Sequence, residues 1–345
     1  MATLDDILNG IRNVPDAISS APINTNTLSQ PSTLSFISAD VAAATASLAP
    51  VAPTTAAPGA PYSAMYAFGD SLTDTGNASL ATLGMVPVSP PYADRSFTNG
   101  PVWAQDLAQS LGLPALKPSL AGGTDFAYGG AETGQTPVHT LNATDLTSQY
   151  SQFLTQVPNP QAGALYTVWS GSNDVLDIAN DSSLTPDQQQ ADVGAAVQNE
   201  MSVINGLVSH GAQNLLVLNV PDIGKTPYET ARGPTVAASA TSLASLYNSD
   251  LAAALQPLEA SGALKVDLVD TFTALNQVNA DPGAFGFTNV TDPVWTGNLT
   301  DSNSGTLRAT GAAQNQFLYF DSLHPTAAAH AHLASGIAAG LTTAA

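Results

Sequence analysis

From residue 64 onward, short apolar runs alternate with longer stretches of helical periodicity. Runs starting near 64 (AMYAF), 124 (TDFAY), 164 (ALYTVW), 214 (NLLVLNV) and 264 (LKVDLVD) have the length and the β-branched or aromatic content of buried strands. Between them, apolar residues recur at intervals of three and four. Val102, Trp103 and Leu107 mark a helix over 101–110; Leu146, Tyr150, Phe153, Leu154 and Val157 mark one over 144–157. Val193, Val197, Met201, Ile204, Leu207 and Val208 mark a third over 186–209, and similar patterns cover 235–260 and the Ala-rich segment from Thr326, with Pro325 read as its first helical position. Alternation of this kind predicts parallel strands joined by right-handed helical crossovers. The expected fold is α/β, a three-layer α/β/α sandwich around a central parallel five-stranded sheet.

Residues 1–60 do not share this pattern. Leu4, Ile7, Leu8, Ile11 and Val14 fall at helical spacing until Pro15, so a short amphipathic helix is expected there. The Ser, Ala, Thr and Pro-rich stretch that follows reads as a linker or surface wrap. The expected division is therefore 1–60 as tether and 61–345 as the folded body. Within the body, 281–316 is a polar excursion whose Phe285, Phe287 and Trp295 either line an acyl or aryl pocket or plug the loop against the core. Arg95, in the long loop after the first strand, is expected to pair with Asp94 or Asp106 at the surface.

The chemistry gathers at run ends. The first run stops at Gly69-Asp70-Ser71, which delivers a hydroxyl where open α/β sheets converge on ligands. An isolated GDS triplet would be read as an ordinary turn. Near the other end of the chain, Asp321-Ser322-Leu323-His324 puts a carboxylate and an imidazole three residues apart in the loop before the last helix. In a turn that spacing lets Asp321 accept from Nδ1–H of His324 and leaves Nε2 free to take a proton from a serine. Of the five histidines, only His324 has an acidic neighbour at that spacing. The third run ends at Gly171-Ser172-Asn173-Asp174, where Asn173 either donates to a developing oxyanion or closes the strand in an Asx turn with Asp174. No G-x-S-x-G elbow occurs, so the Ser, Asp, His order belongs to another solution than the α/β-hydrolase one.

Four blocks together resemble the GDSL lipases and esterases, also called SGNH hydrolases: Phe68-Gly69-Asp70-Ser71-Leu72, Phe126-Ala127-Tyr128-Gly129-Gly130-Ala131, Gly171-Ser172-Asn173-Asp174 and Asp321-Ser322-Leu323-His324. The resemblance runs from about residue 64 to the C-terminus. It implies Ser71 as nucleophile and, through its N–H, oxyanion donor. It further implies the Gly130 N–H and the Asn173 amide as the other donors, His324 as base and Asp321 as its orienter, with adjacent Gly129 the alternative to Gly130. The family often has Asn where this chain has Asp125, a departure that bears on local loop geometry more than on the reaction.

Composition narrows the partners. Lys plus Arg number 7 against 27 Asp plus Glu, a formal net charge of -20, which argues against a nucleic acid or an anionic membrane. With no cysteine there is no disulfide, thiol nucleophile or thiolate metal site. No H-E-x-x-H pattern occurs, and turn formation accounts for Asp74, Asp174 and Asp222 more simply than calcium does, so no metal or cofactor is expected. No stretch approaches the roughly 18 apolar residues of a membrane span. Met1 to Asp6 has neither a basic nor an apolar leader region, although a secreted or extracytoplasmic protein is expected. The expected activity is cleavage of a small-molecule or lipid carboxylic ester. The alternatives are an acetyl-carbohydrate esterase and a non-catalytic secreted binding module.

Overall fold

The computed structural model describes residues 50–51, 55–93, 95–137, 139–260 and 264–343. The helix expected over 4–14 and most of the linker lie outside the described residues. Four strands form one parallel sheet in sequence order: β1 (Met65–Gly69), β2 (Leu165–Trp169), β3 (Asn214–Leu218) and β4 (Lys265–Val269). Phe68, Val168, Val217 and Leu268 stand in register across it.

Side chains alternate between the two faces, as strand geometry requires. Tyr66, Phe68, Tyr166, Val168, Leu215 and Val217 pack into one core, and Met65, Ala67, Leu165, Trp169, Leu216 and Leu218 into another. The remaining elements, in chain order, are α1 (Asn77–Ala81), α2 (Trp103–Ser110), α3 (Leu146–Gln156), α4 (Ser172–Asn180), α5 (Pro186–Ser209), α6 (Pro227–Ala231), α7 (Pro234–Ala260), α8 (Thr271–Ala280) and α9 (Ala327–Thr343). Helices α3, α4, α5 and α7 supply the first core, through Phe153, Val175, Ile204 and Leu251 among others. Helices α2 and α9 supply the second, through Trp103, Leu107, Ile337 and Leu341. Covering helices on both faces explain why the strands read as continuous apolar runs rather than alternating ones.

Local chemistry fixes the helix boundaries. Thr185 and Gln188 form a capping box around Pro186, so α5 begins where its pattern predicts. For α9 the start differs from expectation. Thr326 accepts from the Ala329 N–H and its carbonyl from His330, so Thr326 caps the helix and Pro325 precedes it.

The expected fifth strand is absent among the described residues. Residues 124–128 run beside β1 with single bridges rather than a ladder: Ala67 donates to Thr124 O, Phe126 to Ala67 O and Tyr128 to Gly69 O. The outward edge of this segment is claimed by side chains, because the Asn77 amide donates to the carbonyls of both Asp125 and Ala127. Helix α4 was not expected at all, since Gly171-Ser172-Asn173-Asp174 consists of turn formers. In the structure Gly171 is its N-cap and Asn173 lies in its first turn. The described end of the presumed tether runs along the body. Val51 donates to Gln156 O and Ala57 to Gly112 O, satisfying carbonyls that α3 and the turn after α2 leave unpaired.

Candidate active site

The end of β1 is fixed before any reactive group is reached. The Gln149 side chain on α3 accepts from the Gly69 N–H at 3.0 Å and donates to the Gly69 carbonyl at 2.7 Å, acting as the strand partner that the edge lacks. Beyond it, Asp70 Oδ1 accepts from the Leu72 N–H, and the Asp70 carbonyl accepts from Thr73 and Asp74, winding the chain into a turn that holds Ser71. Burial pushes Asp70 up to about 6, and its Oδ2 has no hydrogen-bond partner.

Ser71, His324 and Asp321 form a continuous relay. Ser71 Oγ lies 2.9 Å from His324 Nε2, and His324 Nδ1 lies 2.7 Å from Asp321 Oδ2. All three are buried. Asp321 Oδ1 accepts from the backbone N–H groups of Leu323 and His324, and the Tyr92 hydroxyl donates to Oδ2 at 2.7 Å. With every lone pair directed, the carboxylate faces one way and the ring follows: Nδ1–H donates to Asp321 and Nε2 accepts from Ser71. Burial pushes Asp321 up, but the charge of His324 and the hydrogen bonds outweigh it and hold the acid below its usual range. Burial pushes His324 down, and the charge and hydrogen bond of Asp321 more than reverse this, so its pKa lies above the ordinary histidine value. The Phe97 ring packs on the imidazole, 5.3 Å between centroids, and lies so close to Gly129 that a side chain there would overlap it.

The second block is a tight turn. Ala131 donates to the Tyr128 carbonyl with Gly130 at φ 76, the left-handed third position of a type II turn. The Gly129 N–H is taken by Asp74 Oδ2 at 2.8 Å. Among the described residues the N–H groups of Ser71 and Gly130 have no protein acceptor, which separates Gly130 from Gly129 as the available donor. An alanine at Gly130 would keep the N–H but strain this turn, because L residues rarely adopt that φ. Asn173 Nδ2 donates to the Ala131 carbonyl at 2.8 Å, tying the turn to α4 and leaving its second amide hydrogen available. Asn173 therefore does not close the strand in an Asx turn. Asp174 is spent on Thr133, accepting from its N–H and from its hydroxyl at 2.7 Å.

The departure at Asp125 fits the same framework. Its carboxyl accepts from the N–H and hydroxyl of Thr75 and from the Ala127 N–H. Burial and then the charge of Asp74 push it well above the usual carboxylate range. A carboxyl that keeps its proton is uncharged, as an amide is. Asp74 accepts from Gly76, Asn77, Ala78 and Gly129, and Asp222 from Thr241, so each acid considered for calcium carries hydrogen bonds of its own. Among the described residues no cluster of three or more such side chains is arranged to hold a metal ion, and no helix is long and apolar enough to cross a membrane.

Ser71, Asn173 and His324 border a cavity of about 580 Å³. It extends from the relay along α9 to Leu341, floored by Trp169, Leu216 and Val269 and walled by Leu275, Val278 and Ile337. Phe285 and Phe287 border it, whereas Trp295 is packed with Tyr92, Val294 and Phe320 beneath the Asp321 loop. The excursion thus does both things its aromatics allowed. His330 also borders the cavity, and burial pushes it down to about 3, so it is uncharged. Arg95 makes no ion pair among the described residues; Asp106 is not its partner, and Asp94 lies outside those residues.

Sequence reasoning missed Tyr92, Gln149 and a second imidazole held by acids. His139 lies between two acids, with Nδ1 3.0 Å from Glu132 Oε2 and Nε2 2.9 Å from Asp145 Oδ2. His324 is therefore not the only histidine with acidic partners. In a chain only 10% charged, Glu132, His139 and Asp145 within one short window were the available signal.

Residues 65–337 match the family model described as GDSL-like Lipase/Acylhydrolase. Among curated proteins, the chain is 29% identical over 237 residues to a phosphatidylcholine-sterol acyltransferase of Aeromonas hydrophila, covering 68% of this chain and 66% of that protein. It is 28% identical over 272 residues to a GDSL esterase/lipase of Arabidopsis thaliana, covering 66% of this chain and 72% of the other. Among solved structures, a member of the lipolytic protein G-D-S-L family from Veillonella parvula aligns with a TM-score of 0.42 and 12% identity, covering 81% of this chain and 97% of that one.

Proposed function

The chain belongs to the GDSL-like lipase/acylhydrolase family, and on that premise we propose that it is a serine hydrolase of carboxylic esters acting through an acyl-enzyme. The observation that carries this reading is the unbroken relay from Ser71 Oγ through His324 to Asp321. Ser71 Oγ attacks the ester carbonyl carbon as its proton passes to His324 Nε2. The tetrahedral oxyanion is stabilised by the N–H groups of Ser71 and Gly130 and by the free amide hydrogen of Asn173. His324 then returns the proton to the leaving alcohol, and the C–O bond breaks. Water, deprotonated by the same imidazole, attacks the acyl-enzyme; the bond from the acyl carbon to Ser71 Oγ breaks, His324 returns the proton to Ser71, and the acid leaves. Asp321 stays ionised throughout and holds the ring in the working tautomer.

The cavity supports a long apolar acyl group over an acetyl one. From His330 to Leu341, α9 borders it for about 16 Å at 1.5 Å per residue. Extended chains advance about 3.5 Å per three single bonds, so the wall runs beside on the order of 13 bonds. An acetyl group would leave nearly all of this apolar surface in contact with water. Each buried methylene contributes about 0.8 kcal/mol, or roughly fourfold in kcat/KM.

A panel of p-nitrophenyl esters from acetate to palmitate tests both levels. Ser71→Ala is expected to lose turnover to background at every length while keeping its melting temperature, and a fluorophosphonate is expected to label the wild-type protein at Ser71 alone. Labelling elsewhere removes the nucleophile assignment. Rates that peak at acetate, with Ser71 still labelled, remove only the long-acyl reading.

A further inference from the structure

Away from the relay, the segment that carries Gly130 is held from behind by charge. Glu132 lies two residues after Gly130, and its N–H donates to Asp145 Oδ1. Its carbonyl accepts from Leu146 and that of Thr133 accepts from Thr147, so the segment is laid along the first turn of α3. The Glu132 side chain meets His139 Nδ1 at 3.0 Å, and His139 Nε2 meets Asp145 Oδ2 at 2.9 Å. Glu132 and Asp145 are buried, and only the imidazole edge reaches solvent. A neutral imidazole has one N–H and one lone pair, so only the doubly protonated ring donates in both directions. On the other side, the same segment is fastened to α4 through Thr133 with Asp174 and Ala131 with Asn173.

We propose that His139 is a positioning residue of the oxyanion hole: its imidazolium cross-links Glu132 to Asp145 and thereby holds the Gly130 N–H and the Asn173 amide in register with Ser71. The proposal rests on the ester-hydrolase reading. The acids facing this ring are Glu132 from the loop, Asp145 from the start of α3 and Asp177 from α4, while the charge of Asp174 acts on Glu132. Burial pushes Glu132 up to about 9, so at neutral pH it keeps a proton that its hydrogen bond with Asp177 can use. Burial alone would lower His139, but hydrogen bonds and charge from Asp145 and Glu132 raise it to about 10. Above that range the ring loses its charge among ionised acids, and the segment loses its cross-link.

The experiment measures kcat and KM against pH on one soluble ester for wild type, His139→Gln and the double variant Glu132→Gln/His139→Gln. A displacement on the scale of an ångström costs up to about a hundredfold in rate. His139→Gln is therefore expected to lose about ten- to a hundredfold in kcat with KM within about twofold, and to lose the alkaline decline of wild type. The double variant, in which position 132 can no longer ionise as the pH rises, is expected to regain part of kcat on the alkaline side. It also keeps the test open if the single variant does not fold. Unchanged kcat in His139→Gln, or an alkaline decline identical in all three proteins, overturns the proposal. Absence of Ser71-dependent turnover in wild type would instead overturn the hydrolase reading beneath it.

Discussion

The molecule holds two imidazoles against buried carboxylates, and they differ in what faces the second ring nitrogen. At His324 one nitrogen meets Asp321 and the other meets a hydroxyl, Ser71 Oγ. At His139 both nitrogens meet acids, Glu132 and Asp145. A ring with one acid and one hydroxyl can gain and lose a proton on Nε2 without breaking its anchor. A ring with two acids is held protonated and works as a fastener. Acidic company is shared, so it alone does not distinguish a base from a brace. The partner of the second nitrogen does.

The comparison breaks most readily at Asp321. Asp321→Asn keeps the shape of the loop but no longer enforces the tautomer, and is expected to lower kcat by on the order of 10⁴-fold in steady-state assays. A rate within tenfold of wild type would leave Asp321 with a purely structural role. Asn173→Ala comes next, with an expected loss of roughly 10² to 10³ in kcat and little change in KM. Because Asn173 also ties Ala131 to α4, a lower melting temperature should accompany it. Unaltered kcat in a destabilised variant would make the amide a fastener only.

Titration sharpens the contrast between the rings. His324 must be neutral to accept a proton, and its pKa is raised, so kcat/KM should fall with acid around an apparent pKa above the ordinary value of about 6.5. Stability follows the opposite sign. A raised histidine pKa contributes stability that is full below the unfolded value and lost as pH rises through the folded one. For His139 that loss begins near the ordinary value of about 6.5 and is complete once the pH has passed about 10. The depressed Asp321 contributes stability above its unfolded pKa and loses it as pH falls through the folded one. A kcat/KM profile flat into mild acid would assign His324 to the second class of ring. The smallest effect is expected at Tyr92→Phe, which removes one donor from Asp321. Turnover should fall only a fewfold, while the acid limb moves to higher pH because the less stabilised carboxylate holds the imidazolium more strongly. An unmoved limb would mean that Tyr92 does not reach the relay electrostatically.

What was legible in the sequence was what depends on near neighbours. The runs that became β1 to β4 and the spacing that became α5 and α7 are local patterns, as is the three-residue step from Asp321 to His324. The misses involve partners distant in the chain. Residues 124–128 do not extend their pairing with β1 because the Gly69 N–H that the next bridge would use goes to the Gln149 side chain, and Asn77, some 50 positions earlier, takes the carbonyls on the outward edge. Tyr92 reaches Asp321 across 229 positions and Gln149 reaches Gly69 across 80. His139 escaped for a narrower reason, since its acids lie six and seven positions away, outside the spacing sought for a catalytic pair.

Leu333, Ile337 and Leu341 border the cavity at steps of four residues along one face of α9. A step of four advances about 6 Å, so the wall is graduated like a ruler whose zero mark lies at His324. On the long-acyl reading proposed above, enlarging the residue at a chosen graduation would stop the chain there, about five carbons short of the next one. Acyl length would then be set in discrete increments by a helix that donates nothing to the chemistry, and selection could alter diet without touching the machinery that digests it.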